Sequence, residues 1–260
     1  EGCNYCHNPA NLASDEKYTK IVARKMLQMT RSINQASTSH VGQTGVTCYT
    51  CHRGEPVPTE TWVLPPDPVR RGIAGNRSGQ NAPVSNSAYS SLPNLAVVNY
   101  LLGGADPQAA RVVSKGVHPS SANTVSTMAT ENTYAMMMHV SQALGVNCTY
   151  CHNANSFQSW ASSNPPRQTA WYGLDMVRKI NFDYITPLAS VFPANRKGEL
   201  GDPYKVNCTT CHRGQNKPLG GVPMAKDYPA LLTGSYVSAT SAMPAAAVSP
   251  APPAPTTSTE

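Results

Sequence analysis

Four copies of one short motif constrain this chain more than any other feature. Its eight cysteines fall into four pairs: Cys3 and Cys6, Cys48 and Cys51, Cys148 and Cys151, Cys208 and Cys211. Every pair is C-x-x-C, and a histidine follows each at once: His7, His52, His152 and His212. No cysteine is left over. C-x-x-C-H is the attachment signature of c-type haem. Two thiols form thioethers to the porphyrin vinyl groups, and the adjacent imidazole supplies one axial ligand to the iron. Disulfides within C-x-x-C would not need a histidine after each pair. Zinc ribbons join two knuckles about 15–20 residues apart, and these motifs lie much further apart. Thioredoxin-like motifs come singly beside a βαβ pattern. The expected cofactor is therefore four haem c.

Composition agrees with that reading. Only 13% of the 260 residues are charged, and three are Phe. An average soluble domain is about 25% charged. With about 65 residues per haem, porphyrin can supply much of the apolar core. The formal charge of +6 alone would suggest an acidic partner. Eight ionised propionates would bring it to −2, so no nucleic-acid partner is expected. Arg53 and Arg213, each directly after a motif histidine, are natural propionate partners. The alternative for each is a surface arginine. The longest apolar stretch, around Leu95–Leu102, is far shorter than the about 20 residues that span a bilayer.

The motifs alternate. The first and third continue with asparagine (Asn8, Asn153), the second and fourth with Arg-Gly (Arg53-Gly54, Arg213-Gly214). This predicts a duplicated two-haem unit. The intervening segments Lys17–Asn34 and Arg167–Asn181 both have helical periodicity. They align on Met29/Met176, Arg31/Arg178, Ile33/Ile180 and Asn34/Asn181. The fold expected is mainly α with much irregular loop, each unit running helix, loop, C-x-x-C-H. Residues 1–54 form the first two-haem half and 131–221 the second. Residues 55–130 are a Pro/Gly/Ser-rich connector with short helices at Leu92–Leu102 and Pro107–Ser114. Thr133–Leu144 is a helix before the third motif. Residues 222–260 are a Pro/Ala-rich tail, expected to be extended or disordered unless a partner holds it.

Second axial ligands come from nine Met and from His40, His118 and His139. Met/His ligation raises the potential of a c-type haem. Met26 and Met29 precede the second motif, and Met136, Met137 and Met138 precede the third. In the repeat, Gly173 stands opposite Met26 and cannot ligate, leaving Met176 or a more distant residue for the fourth haem. A helix before the first motif would precede Glu1, so the chain is expected to lack its true N-terminus. The alternative is an unusual ligand from far along the chain.

The run Met26–Gly54, MLQMTRSINQASTSHVGQTGVTCYTCHRG, resembles the second-haem region of the tetrahaem cytochrome subunit of purple-bacterial photosynthetic reaction centres. The likeness extends over all four motifs, roughly Glu1–Gly221. It implies Met26 on the second haem, Met137 on the third, and His40 reaching across to make the fourth bis-histidine. It implies an electron-transfer subunit rather than an enzyme. A soluble periplasmic donor, a c-type cytochrome or a high-potential iron–sulfur protein, would feed a photo-oxidised bacteriochlorophyll pair in the membrane core subunits. The location implied is the periplasmic face of the photosynthetic membrane, with an anchor in a missing N-terminal segment. A free-standing multihaem redox enzyme and a soluble shuttle are the alternative readings.

Overall fold

The computed structural model describes residues 2–65, 90, 92–102 and 127–233. Within these the chain is mainly helical. The helices are α1 (Tyr18–Ala36), α2 (Thr38–Val41), α3 (Cys48–His52), α4 (Ala96–Leu101), α5 (Thr127–Leu144), α6 (Pro166–Lys179), α7 (Cys208–His212) and α8 (Pro229–Leu232). A two-residue antiparallel pair, β1 (Thr61–Trp62) with β2 (Lys205–Val206), joins the two halves in the register Thr61↔Val206 and Trp62↔Lys205. The described connections between these elements are largely irregular. Among the described residues no helix is long and apolar enough to cross a membrane.

The amphipathic faces of α1 and α6 supply the centre. Met29 and Ile33 from α1 pack with Met176, Val177 and Ile180, and α4 adds Val97 and Leu101. Asn34 and Asn181 are buried among these apolar residues (8% and 0% exposed). A buried amide has to be hydrogen-bonded. Asn34 grips Val46 at two points: its Nδ2 donates to the Val46 carbonyl (3.0 Å) and its Oδ1 accepts from the Val46 amide (2.7 Å). Asn181 does the same to Val206, at 2.9 Å both ways. Each valine lies two residues before a motif cysteine, so the end of each long helical segment is pinned to the stretch of chain that delivers the next motif. After α6 the chain widens into a π-helical turn, Ile180–Ile185, that contains Asn181.

Three expectations change. Helix α5 begins at Thr127, six residues before the start the periodicity predicts. The Pro/Gly/Ser-rich connector, expected to hold short helices, also contributes β1, whose Trp62 Nε1 donates to the Val206 carbonyl (2.9 Å). The tail expected to bury little from Val222 onward folds through Thr233. It forms a 3-10 turn at Met224–Asp227 and then α8, and it buries Ala225 and Leu231 against the first half. The predicted helix Pro107–Ser114 lies outside the described residues.

Candidate functional site

The two kinds of motif differ in local structure, and sequence explains how. The second and fourth are true short helices. Thr50 Oγ1 accepts from the Thr47 amide (2.9 Å), and Thr210 Oγ1 from the Asn207 amide (3.0 Å), while Asn207 Oδ1 accepts from the Thr210 amide (3.1 Å). These are capping-box bonds. Each helix ends on an arginine in left-handed geometry, Arg53 at φ 55° and Arg213 at φ 49°, followed by a glycine at positive φ. Left-handed residues close helices, and glycine continues such a turn without strain. The first and third motifs are 3-10 turns, Gly2–Tyr5 and Cys148–Tyr150. In the first the Cys6 amide donates to the Cys3 carbonyl, and in the third the Cys151 amide donates to the Cys148 carbonyl, both at 3.2 Å. Their Asn8 and Asn153 side chains accept from the amides of Ala10 (2.8 Å) and Asn155 (2.9 Å). That Asx turn takes the place of the Arg-Gly cap.

No two of the eight motif cysteines form a disulfide, and they differ in exposure. Cys3, Cys48 and Cys148 are exposed, whereas Cys6, Cys51, Cys151, Cys208 and Cys211 are partly buried. In the first three motifs the second cysteine, Cys6, Cys51 or Cys151, is thus the more sheltered. It lies directly before the motif histidine, whose ring is tied back to the backbone.

All four motif imidazoles are held alike. His7 Nδ1 donates to the Leu12 carbonyl (3.0 Å) and His152 Nδ1 to that of Phe157 (2.9 Å). His52 Nδ1 donates to the Glu55 carbonyl (3.0 Å) and His212 Nδ1 to that of Gln215 (2.9 Å). A carbonyl can only accept, so the proton sits on Nδ1 and the lone pair on Nε2. That is the second-shell contact a metal-ligating histidine ordinarily makes. The ring of Phe157 also stacks on His152 at 4.9 Å.

His40, at the end of α2, is held in the same manner from the other half. Its Nδ1 donates to the Thr169 carbonyl on α6 (2.9 Å). Its ring lies against Gly173: a Cβ there would stand 2.5 Å from His40 Cε1 and 2.8 Å from Nδ1. The His40 and His212 rings lie edge-on to each other, 6.0 Å between centroids and 65° between planes. A metal–imidazole bond is about 2 Å, so two rings sharing one metal have centroids about 6 Å apart. The pair therefore fits one iron between them. Burial lowers the pKa of both rings, which favours the neutral imidazole that a metal needs.

Spacing along the chain treats the four cysteine pairs alike, but the structure does not. The second and fourth motifs meet directly, with Cys51 Sγ 3.0 Å from Cys211 Sγ. Among the described residues the first motif makes no hydrogen bond to another motif and is tied instead to the start of α1. There Thr19 Oγ1 donates to the Tyr5 carbonyl, directly before Cys6 (2.5 Å), and Lys17 Nζ to that of Asn4. Between the second and fourth motifs, Arg53 Nη2 donates to the Cys211 carbonyl (2.9 Å) and Arg213 Nη2 to the Cys51 carbonyl (3.3 Å). The arginines are thus a reciprocal tie, not surface residues. Nε of each is buried with no protein partner, which leaves this donor, among others, for a propionate. His139 on α5 also has a buried, unpartnered Nε2, and burial pushes its pKa down to about 4. The fourth motif also touches the third. The Gly214 amide donates to the Ala143 carbonyl (2.8 Å), and Asn216 Nδ2 to Tyr150 Oη (3.1 Å). Asn164 steadies the third motif, donating to the Thr149 (2.9 Å) and Tyr150 (3.3 Å) carbonyls. Met26 and Met137 are each partly buried against the core, while their neighbours Met29 and Met136 are buried in it. Among the described residues no three His, Cys, Asp or Glu side chains gather into one metal cluster, as a zinc ribbon would require.

The family described as photosynthetic reaction centre cytochrome C subunit matches residues 1–232. The photosynthetic reaction center cytochrome c subunit of Rubrivivax gelatinosus is 47% identical over 246 residues, covering 94% of this chain and 66% of that protein. That of Thermochromatium tepidum is 47% identical over 233 residues, covering 89% and 56%. That of Roseobacter denitrificans is 40% identical over 242 residues, covering 90% and 65%. This chain belongs to the photosynthetic reaction centre cytochrome c subunit family. It spans just under two thirds or less of the length of each of these relatives. Membership in a cytochrome c family implies covalently bound haem c. In this cytochrome, sequence reasoning missed the roles of Asn34 and Asn181. The available signal was an asparagine closing both aligned helices, each with a valine two residues before the next motif cysteine.

Proposed function

We propose that this chain is an electron conduit, not an enzyme, with four covalently bound haem c groups linking a soluble periplasmic donor to a photo-oxidised bacteriochlorophyll pair. The observation that carries this reading is the meeting of His40 and His212 over Gly173, beside three further motif imidazoles held with Nε2 available. Haem c at these positions supplies reversible one-electron chemistry at its iron. Cys3 and Cys6 anchor the first group, Cys48 and Cys51 the second, Cys148 and Cys151 the third, and Cys208 and Cys211 the fourth. His7, His52, His152 and His212 are the proximal ligands. Met26 and Met137 serve the second and third irons, and His40 the fourth. Methionine ligation favours the reduced iron and a second imidazole the oxidised one, so the fourth haem has the lowest potential of these three. Arg53 and Arg213 offer their remaining N–H groups to propionates.

The contacts between motifs support the spatial order second, fourth, third, with the first lying before α1. They support a duplicated two-haem unit as well, since motif turns, imidazole bonds and asparagine clamps all recur in pairs. The halves are residues 1–54 and 131–221, joined by 55–130 and followed by 222–260. The subunit would sit on the periplasmic face of the membrane against the reaction-centre core. Its donor would be a soluble c-type cytochrome or a high-potential iron–sulfur protein.

Flash spectroscopy on membranes of the source organism tests this. Oxidation of the haem α-band should follow photo-oxidation of the bacteriochlorophyll and vanish when this chain is deleted. A haem signal indifferent to light overturns the reading.

A further inference from the structure

The asparagine clamps reach beyond their own halves. Asn34 Nδ2 also donates to the Leu231 carbonyl (3.0 Å), and Arg31 Nε donates to the Ala230 carbonyl beside it (2.9 Å). Asn181 Nδ2 likewise donates to the Leu101 carbonyl (2.8 Å), and Arg178 Nη1 to that of Tyr100 (3.3 Å). The four side chains occupy matched repeat positions, and their acceptors are consecutive carbonyls on α8 and α4. The exchange is in the acceptors. Helix α8 follows the second half in sequence but docks on α1 of the first. Helix α4 follows the first half but docks on α6 of the second. Both N–H donors of each amide are thereby used, and its oxygen accepts one bond.

We infer that Asn34 and Asn181 are positioning residues, and that the two capping helices are exchanged, α8 completing the second-motif site and α4 the fourth. Asn34 joins three things: the helix that carries Met26, the residue two before Cys48, and the carbonyl end of α8. Asn181 joins the helix on which the His40 ring rests, the residue two before Cys208, and α4. Asn34 thus fixes how far the helix carrying Met26 stands from His52, and Asn181 how far the helix backing the His40 ring stands from His212. The inference rests on the proposed function only in taking these motifs as haem sites.

The test is a haem-loaded full chain ended after Tyr228, which removes α8. Amide exchange at Val46 should accelerate on the order of tenfold or more, because a buried amide that loses partners destabilises its clamp. The potential of the second haem should move with it. Val206 exchange and the fourth haem should not change, although α8 is contiguous with that half. Equal acceleration at Val206, or none at Val46, overturns the inference. Asn34→Ala in the untruncated chain should reproduce the Val46 effect, and this variant covers the case in which truncation prevents folding. Faster exchange at Val46 with every haem potential unmoved retains the exchanged caps but removes the assignment of Met26 to the second haem.

Discussion

Helices α1 and α6 carry the same clamp, the same buried methionine at Met29 and Met176, and the same arginine three residues before the asparagine. They part at the matched positions Met26 and Gly173. The first keeps a side chain long enough to ligate. The second has none, and the space is filled by His40 from the other half, within 2.5 Å of where a Cβ would stand. Under the proposed ligation, the two matched helices offer different axial environments through one missing side chain. The difference between a Met/His and a bis-His haem is a difference of potential. The glycine that creates the gap is as consequential as the histidine that fills it.

Placing a side chain in the gap should break this contrast most strongly. Gly173→Leu drives atoms into the His40 ring, so the lowest-potential haem should lose its bis-histidine character in a redox titration followed by electron paramagnetic resonance. Overpacking of this kind costs about 1–3 kcal/mol, which urea unfolding would register. An unchanged bis-histidine spectrum would mean that His40 is not the ligand.

His40→Met keeps the gap but changes the ligand, making the two halves alike. One midpoint, the lowest, should rise on the order of 0.1 V, well within the about 0.8 V range that axial ligands span. A low-potential component that persists would remove His40 from the fourth iron.

The reciprocal arginines sharpen the comparison without touching ligation. Arg53→Ala and Arg213→Ala each remove one bond to the opposite motif, about 0.5–1.5 kcal/mol by urea unfolding. The double variant should lose less than the sum of the two, because both bonds cross a single interface. Strict additivity would mean that the ties act independently. The smallest effect belongs to the asparagine-type motifs. Asn153→Ala removes the Asx turn after His152, at an exposed position, and should cost no more than about 0.5 kcal/mol. A loss matching that of Arg213→Ala would show that the third motif depends on its turn as heavily as the fourth depends on its cap.

Much of this was legible beforehand. The eight cysteines and four histidines announce their chemistry because covalent attachment fixes their spacing locally. The alternation of Asn with Arg-Gly corresponds to two ways of ending a turn, an Asx turn and a left-handed cap, each encoded within a few residues. Helix α1 starts one residue after the start the periodicity predicts, and α6 one residue before. The vacancy at Gly173 was visible in the repeat alignment. Which motifs would touch was not: nothing in the spacing separates Cys6, whose motif among the described residues makes no hydrogen bond to another, from Cys51, which lies against Cys211. The clamp partners were hidden too. Asn34 and Leu231 are 197 residues apart, and no local propensity connects them. For the same reason residues 222–233 read as tail: they run into the Pro/Ala-rich segment that follows, and the carbonyls of Ala230 and Leu231 that help to hold them against α1 accept from Arg31 and Asn34, far away in sequence.

Sequence by itself determined which residues carry the cofactor chemistry, how each motif turns, and where the repeat lacks a side chain, because these are matters of covalent spacing and short-range backbone geometry. Tertiary structure alone decided which half supplies His40, which motifs touch, and which short helix caps which long one. Those choices depend on saturating buried amides and filling a gap left by glycine, and the partners that do so are brought together only when distant segments pack.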